Sequence, residues 1–147
     1  MRWWLFLILA FHPISAQADS QASLVALEQR LSAVSWHLAI DAEIEPACQE
    51  HYAFTPEGIL FITSGAERLA TQWQVRPIED SDVVSLHLDH LSSNGAPDCL
   101  GNRTPLGGPP YVRYLQDTGE GGVRLCWRES KSSCFATVIP AAPEPTI

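Results

Sequence analysis

Basic residues are scarce in this chain, with 9 Lys and Arg against 17 Asp and Glu in 147 residues. An excess of that sign repels nucleic acid and anionic membrane surfaces, so neither is an expected partner. The spacing of zinc ligands is missing as well. No C-x2-C or H-x3-H pair occurs, and the two closest of the four cysteines, Cys126 and Cys134, have seven residues between them. No metal or cofactor is therefore expected.

Catalytic signatures are equally thin. Ser64-Gly65-Ala66 is neither a G-x-S-x-G elbow nor an S-x-x-K pair, and it reads better as the turn that ends a strand. The glycines at 107–108 and 119–122 lack the following helix and lysine of a phosphate cradle. Carboxylates cluster at Asp41, Glu43 and Glu45 and again at Glu79, Asp80 and Asp82. Both groups fall at expected strand ends, where solvated turns are the ordinary account of such clusters, although glycosidases need only two carboxylates. His51, His87, His90 and Asp89 invite a metal reading. Side chains alternate along a strand, so His87 and His90 point to opposite faces and cannot share an ion, and ordinary polar residues facing solvent account for the group better. Asn102-Arg103-Thr104 matches a glycosylation sequon, but the proline that follows disfavours it. No catalytic residue is expected, and the chain is read as a non-enzyme.

Long apolar runs are absent too. Trp3 to Phe11 is about half the roughly 20 residues a membrane-spanning helix requires. Arg2 precedes the run, Pro13 interrupts it, and Ala16-Gln17-Ala18 has the small-x-small form of a cleavage site. Residues 1–18 are accordingly expected to be a signal peptide, and no cysteine follows to make a lipoprotein anchor. The leader carries one base and no acid, so its removal makes the formal charge of −8 one unit more negative. A periplasmic or secreted location follows, without stable membrane insertion. An even number of cysteines in an exported chain implies disulfides. Three pairings are possible; proximity suggests Cys126–Cys134 across a hairpin, leaving Cys48–Cys99.

The remaining chain is one domain's worth, with no internal repeat or linker. Residues 19–33 are expected as a helix, with Asp19 or Ser20 as its cap and Leu24, Leu27 and Leu31 on one face. The period then shortens to two. Strands are expected over 34–40, 51–55, 59–64, 70–78, 83–91, 111–117, 123–129 and 134–140, and a Pro-rich tail over 141–147. Pro56-Glu57-Gly58 makes the second and third of these a hairpin by its turn chemistry. Nearly every connection is short, which favours an antiparallel up-and-down meander, and closure into a small barrel would remove its edges. The run Ile59-Leu60-Phe61-Ile62 suggests cover on both faces, with the helix packed on the outer side.

Trp36, Phe54, Phe61, Trp73 and Trp127, with Val75 and Leu86, are candidates for the barrel interior. A barrel of eight strands is just wide enough to be filled by its own side chains or to hold one small ligand. On aromatic volume alone, a packed interior is the better expectation. The exceptional connection is 92–110, far longer than a hairpin loop, and loops of that length are typically functional or disordered. Cys99 would tie it down, and Pro97, Pro105, Pro109 and Pro110 stiffen it. Asn94, Asn102 and Arg103 are its candidate polar contacts.

A tryptophan in the first strand (VSWHL), the hairpin YAFTPEG and a sheet running in order to the C-terminus together resemble the lipocalin-like (calycin) small barrels of exported bacterial proteins, over about residues 34–140. The resemblance implies a barrel that either binds a small apolar molecule at its mouth or is simply filled. Two other functions stay open beside ligand binding. One is a protein-binding module, such as an inhibitor of a basic envelope-directed hydrolase of the lysozyme type, which an acidic surface would attract. The other is a structural envelope component.

Overall fold

The computed structural model describes residues 15–40, 49–119 and 121–141, with side chains from Gln21 onward. It comprises helix α1 (Ser15–Ala33) and strands β1 (Ser35–Ile40), β2 (Glu50–Phe54), β3 (Ile59–Ser64), β4 (Glu67–Pro77), β5 (Val83–Ser93), β6 (Tyr111–Asp117), β7 (Val123–Cys126) and β8 (Cys134–Pro140). The strands pair antiparallel in chain order, and β8 returns to pair with β1, closing a barrel. The mainly β, up-and-down meander with one N-terminal helix is thus the observed architecture, and it is the one a lipocalin-like resemblance implies.

The β2–β3 turn forms as its residues dictate. The Gly58 amide donates to the Thr55 carbonyl at 3.1 Å. Pro56 fills the first central position, and Gly58 takes a φ of 83° that side chains with a Cβ rarely adopt. The Gly58 carbonyl then accepts from the Trp73 amide at 2.9 Å, tying the turn to β4.

Strand alternation sends one row of each strand inward. Trp36 and Leu38, Leu60 and Ile62, Trp73 and Val75, Leu86 and Leu88, Val123 and Leu125, and Ala136 and Val138 supply the apolar core. Leu24, Leu27 and Leu31 of α1 join the same cluster. They do so from one end of the barrel, not from its outer side as the sequence suggested. Leu31 faces the barrel interior, while Leu24 and Leu27 lie against Pro77, Ile78 and Val84 where β4 turns into β5. Arg30 pairs with Asp117 at the end of β6, at 2.9 Å. The Trp36 indole N–H donates to the Leu31 carbonyl at 2.9 Å, satisfying one of the acceptors a helix C-terminus leaves open. Phe61, left without a covering helix, is 51% exposed on the outer face.

Other boundaries shift for local reasons. The helix begins upstream of Asp19 and Ser20, its expected caps. β4 starts three residues before the expected Ala70, because Glu67, Arg68 and Leu69 pair with β3 across the tight Gly65-Ala66 turn. β7 stops at Cys126 instead of Glu129: the Trp127 amide bonds the Ser133 carbonyl and the Arg128 amide bonds Ser133 Oγ, which turns the chain back. Cys126 and Cys134 form a disulfide between β7 and β8. Cys99 is also disulfide-bonded; Cys48, its expected partner, lies outside the described residues. No helix among the described residues is long and apolar enough to cross a membrane.

Candidate ligand site

The barrel interior holds a cavity of about 500 Å³, within the range of small-molecule sites. Leu31 of α1 forms its floor, and Asp98, Leu100 and Thr104 of the β5–β6 connection reach its mouth. Between them the wall changes character. Phe54, Leu86, Leu115 and Val138 make the lower part apolar, whereas in the upper part Glu50, Tyr52, Ser64, Glu67, His90, Tyr111 and Arg113 stand among Ile40, Leu69, Leu100 and Phe135.

Those polar groups are tied to one another. Glu50 accepts from the Tyr52 hydroxyl at 2.9 Å and from Ser64 Oγ at 2.8 Å. Burial, with the Glu50 carboxylate alongside, pushes the Tyr52 hydroxyl well above the ordinary phenol range. Thr71 Oγ1 and His90 Nδ1 share a hydrogen bond of 2.8 Å. Burial pulls the His90 imidazole down, against the opposing pull of Glu67 and Asp89. The Arg113 guanidinium lies over the Tyr111 ring at 4.7 Å and over the Trp127 ring at 4.4 Å. Burial lowers the Arg113 pKa and raises that of Tyr111. Trp127 in turn stacks on Phe135 at 4.1 Å.

The long connection closes over this end. Its Cys99 amide donates to Ser64 Oγ at 3.2 Å, and its Thr104 amide to Glu67 Oε1 at 3.2 Å. Two wall residues therefore hold the loop: Glu67, only 3% exposed, and Ser64, itself bonded to Glu50. Gly65 permits the approach, since a Cβ there would sit 3.2 Å from the Cys99 nitrogen. Asn94 anchors the near end, accepting from the Arg68 amide at 3.0 Å and donating to the Ala66 carbonyl at 2.9 Å. Within the loop, Asp98 Oδ1 accepts from the Leu100 and Asn102 amides at 2.8 and 2.7 Å, and Arg103 donates to the Gly95 carbonyl.

Of the aromatics expected inside, Phe54 and Trp127 line the cavity, Trp127 at its rim with 54% of its surface exposed. Trp36 and Trp73 are buried in the packed part of the barrel, Trp73 edge-on to Phe54 with centroids 5.0 Å apart. Phe61 stands outside. With Phe61 outside and Trp127 at the rim, the aromatics that face the interior space are Phe54, Tyr52, Tyr111 and Phe135, and they line a cavity instead of filling it. In the loop, Asn94, Asn102 and Arg103 make the bonds just described. Pro97 is half-buried, and Pro105 and Pro109 are exposed.

His90 is a correction. Sequence placed it among surface polar residues, yet it faces the cavity, while His87 bonds Ser85 at 3.1 Å away from it. Glu50, Tyr52, Glu67, Tyr111 and Arg113 were not singled out at all. Their signal was available: Tyr111 and Arg113 share the alternation of Leu115, and Glu50 and Tyr52 that of Phe54. Phe135 had no such signal, because the register shift beside Cys126 brings it to the cavity. Among the described residues no group of three or more His, Cys, Asp or Glu is placed to hold a metal ion. No known family model, curated protein or solved structure matches this chain.

Proposed function

We propose that this chain is an exported, non-enzymatic binding protein that takes a small, largely apolar molecule into its barrel. The observation that carries the reading is the interior cavity of about 500 Å³, apolar below, with its polar groups gathered at the mouth under a stapled loop. Its disulfides suit an oxidising compartment such as the periplasm. An inhibitor that acts through its outer surface, or a structural envelope component, has no use for a void of that size, so the cavity favours ligand binding over both.

Native mass spectrometry of the oxidised protein, purified from periplasm and then mixed with apolar compounds, tests it. The expected result is an adduct of one small molecule per chain, released by organic extraction. A bare mass before and after addition of every compound contradicts the proposal.

A further inference from the structure

The side chain hardest to account for by folding alone is Arg113. It projects into the cavity between Tyr111 and Leu115, half-buried and partly desolvated. Among the described residues no carboxylate lies within ion-pair distance of it. Among the described residues its one hydrogen bond is from Nη1 to the neighbouring Val112 carbonyl at 3.2 Å. Its remaining donors are not sealed into the wall, because no Arg113 nitrogen is both buried and unbonded. A guanidinium offers five N–H groups in a rigid fork that matches a carboxylate, and it keeps its proton at neutral pH. The guanidinium carbon lies over both the Tyr111 and the Trp127 ring, contacts that restrict the fork before anything binds.

The other charges in the cavity have occupations of their own. Glu50 is bonded by Tyr52 and Ser64, Glu67 by the Thr104 amide, and Asp98 by the Leu100 and Asn102 amides. Protonation of His90 is disfavoured by burial. Among the described residues, Arg113 is thus a cation of the cavity without a carboxylate partner. Glu50, Glu67 and Asp98 outnumber Arg113 in the lining, so a doubly charged phosphate is repelled, and a single negative charge is offset only where it sits directly on the Arg113 fork.

Resting on the proposed binding function, we infer that Arg113 is the head-group site of the cavity. The ligand is an apolar monocarboxylic acid, with its carboxylate on Arg113 and its hydrocarbon part directed past Leu115 toward Leu31.

Decanoate, decanol and decylamine, titrated into the oxidised protein while Trp fluorescence is followed, provide the test. Trp127 lies against Arg113 and reports a head group there. The expected order is decanoate tighter than decanol by about tenfold to a hundredfold, the worth of a charged hydrogen-bonded pair, with decylamine weakest. Arg113→Gln should erase the preference for decanoate over decanol, and a circular dichroism spectrum and melt like the parent's show that the variant folds. Should Arg113→Gln fail to fold, Arg113→Lys serves instead, retaining part of the preference through its charge. Equal affinities for decanoate and decanol in the parent protein overturn the head-group site while leaving the cavity reading intact. Binding of none of the three compounds overturns both.

Discussion

At the helix end of the barrel, Leu31, Trp36, Leu60 and Val123 are fully buried against one another. Toward the mouth, the same inward rows carry Glu50, Tyr52, Ser64, Glu67 and His90 around open space. The backbone rule is identical at both ends, since every second residue points in. What differs is how the space is closed. Below, a helix seals the end with the apolar surface of Leu24, Leu27 and Leu31, an indole hydrogen bond and the Arg30–Asp117 pair. Above, a loop is held by amide bonds to Ser64 and Glu67 and by the bond at Cys99, over groups that must be hydrogen-bonded wherever they are buried. Close packing around Trp36, Leu60 and Val123 stabilises the helix end, while above Leu31 the barrel holds a cavity that opens through the hydrogen-bonded mouth.

The sharpest way to break this contrast is to remove the seal below. Trp36→Ala should cost about 3–5 kcal/mol in chemical denaturation, because it leaves a large void and strips the Leu31 carbonyl of its partner. A loss under about 1 kcal/mol would mean that the lower half is not the packed one.

A smaller effect is expected above. Ser64→Ala removes the link between Glu50 and the Cys99 amide, and should cost about 1–3 kcal/mol. Amide exchange across residues 98–104 should quicken at the same time. Unchanged exchange there would show that the loop is not held through Ser64.

Acid tests the mouth by charge. Burial holds the folded pKa values of His90 and His87 below the ordinary 6.5, so the unfolded chain takes up protons first as pH falls. The histidine contribution to stability is therefore complete above 6.5, is lost as pH drops through it, and levels off below the folded values. His90→Gln should reduce that fall in a series of melts across the window. Base acts in the opposite sense on Tyr52, whose raised folded pKa makes stability decline above pH 10. The least effect belongs outside the barrel. Phe61→Ser on the exposed face should change stability by less than about 0.5 kcal/mol and leave binding untouched.

Much of the architecture was legible in sequence because alternation and turn chemistry are local. Pro56-Glu57-Gly58 specified its hairpin, the strand rows specified inside and outside, and Cys126 and Cys134 paired across theirs. The seat of α1 was not legible: Leu24, Leu27 and Leu31 announce an apolar face but not what covers it. Phe61 was misjudged for the related reason that an apolar run does not say which of its residues stay uncovered. The site was missed because its chemistry is spread over β2, β3, β4, β5 and β6, and only barrel closure brings Glu50, Glu67, His90 and Arg113 around one space. Arg113 in particular reads in sequence as an ordinary polar residue of an alternating strand. Nothing local tells that its row points inward to a void.

The most direct test of that void is calorimetric titration of decanol into the oxidised protein at several temperatures. An apolar cavity should give saturable binding of one molecule per chain with a negative heat-capacity change, the mark of apolar surface leaving water. Heats that never saturate, or binding without a heat-capacity change, would contradict an apolar cavity inside the barrel.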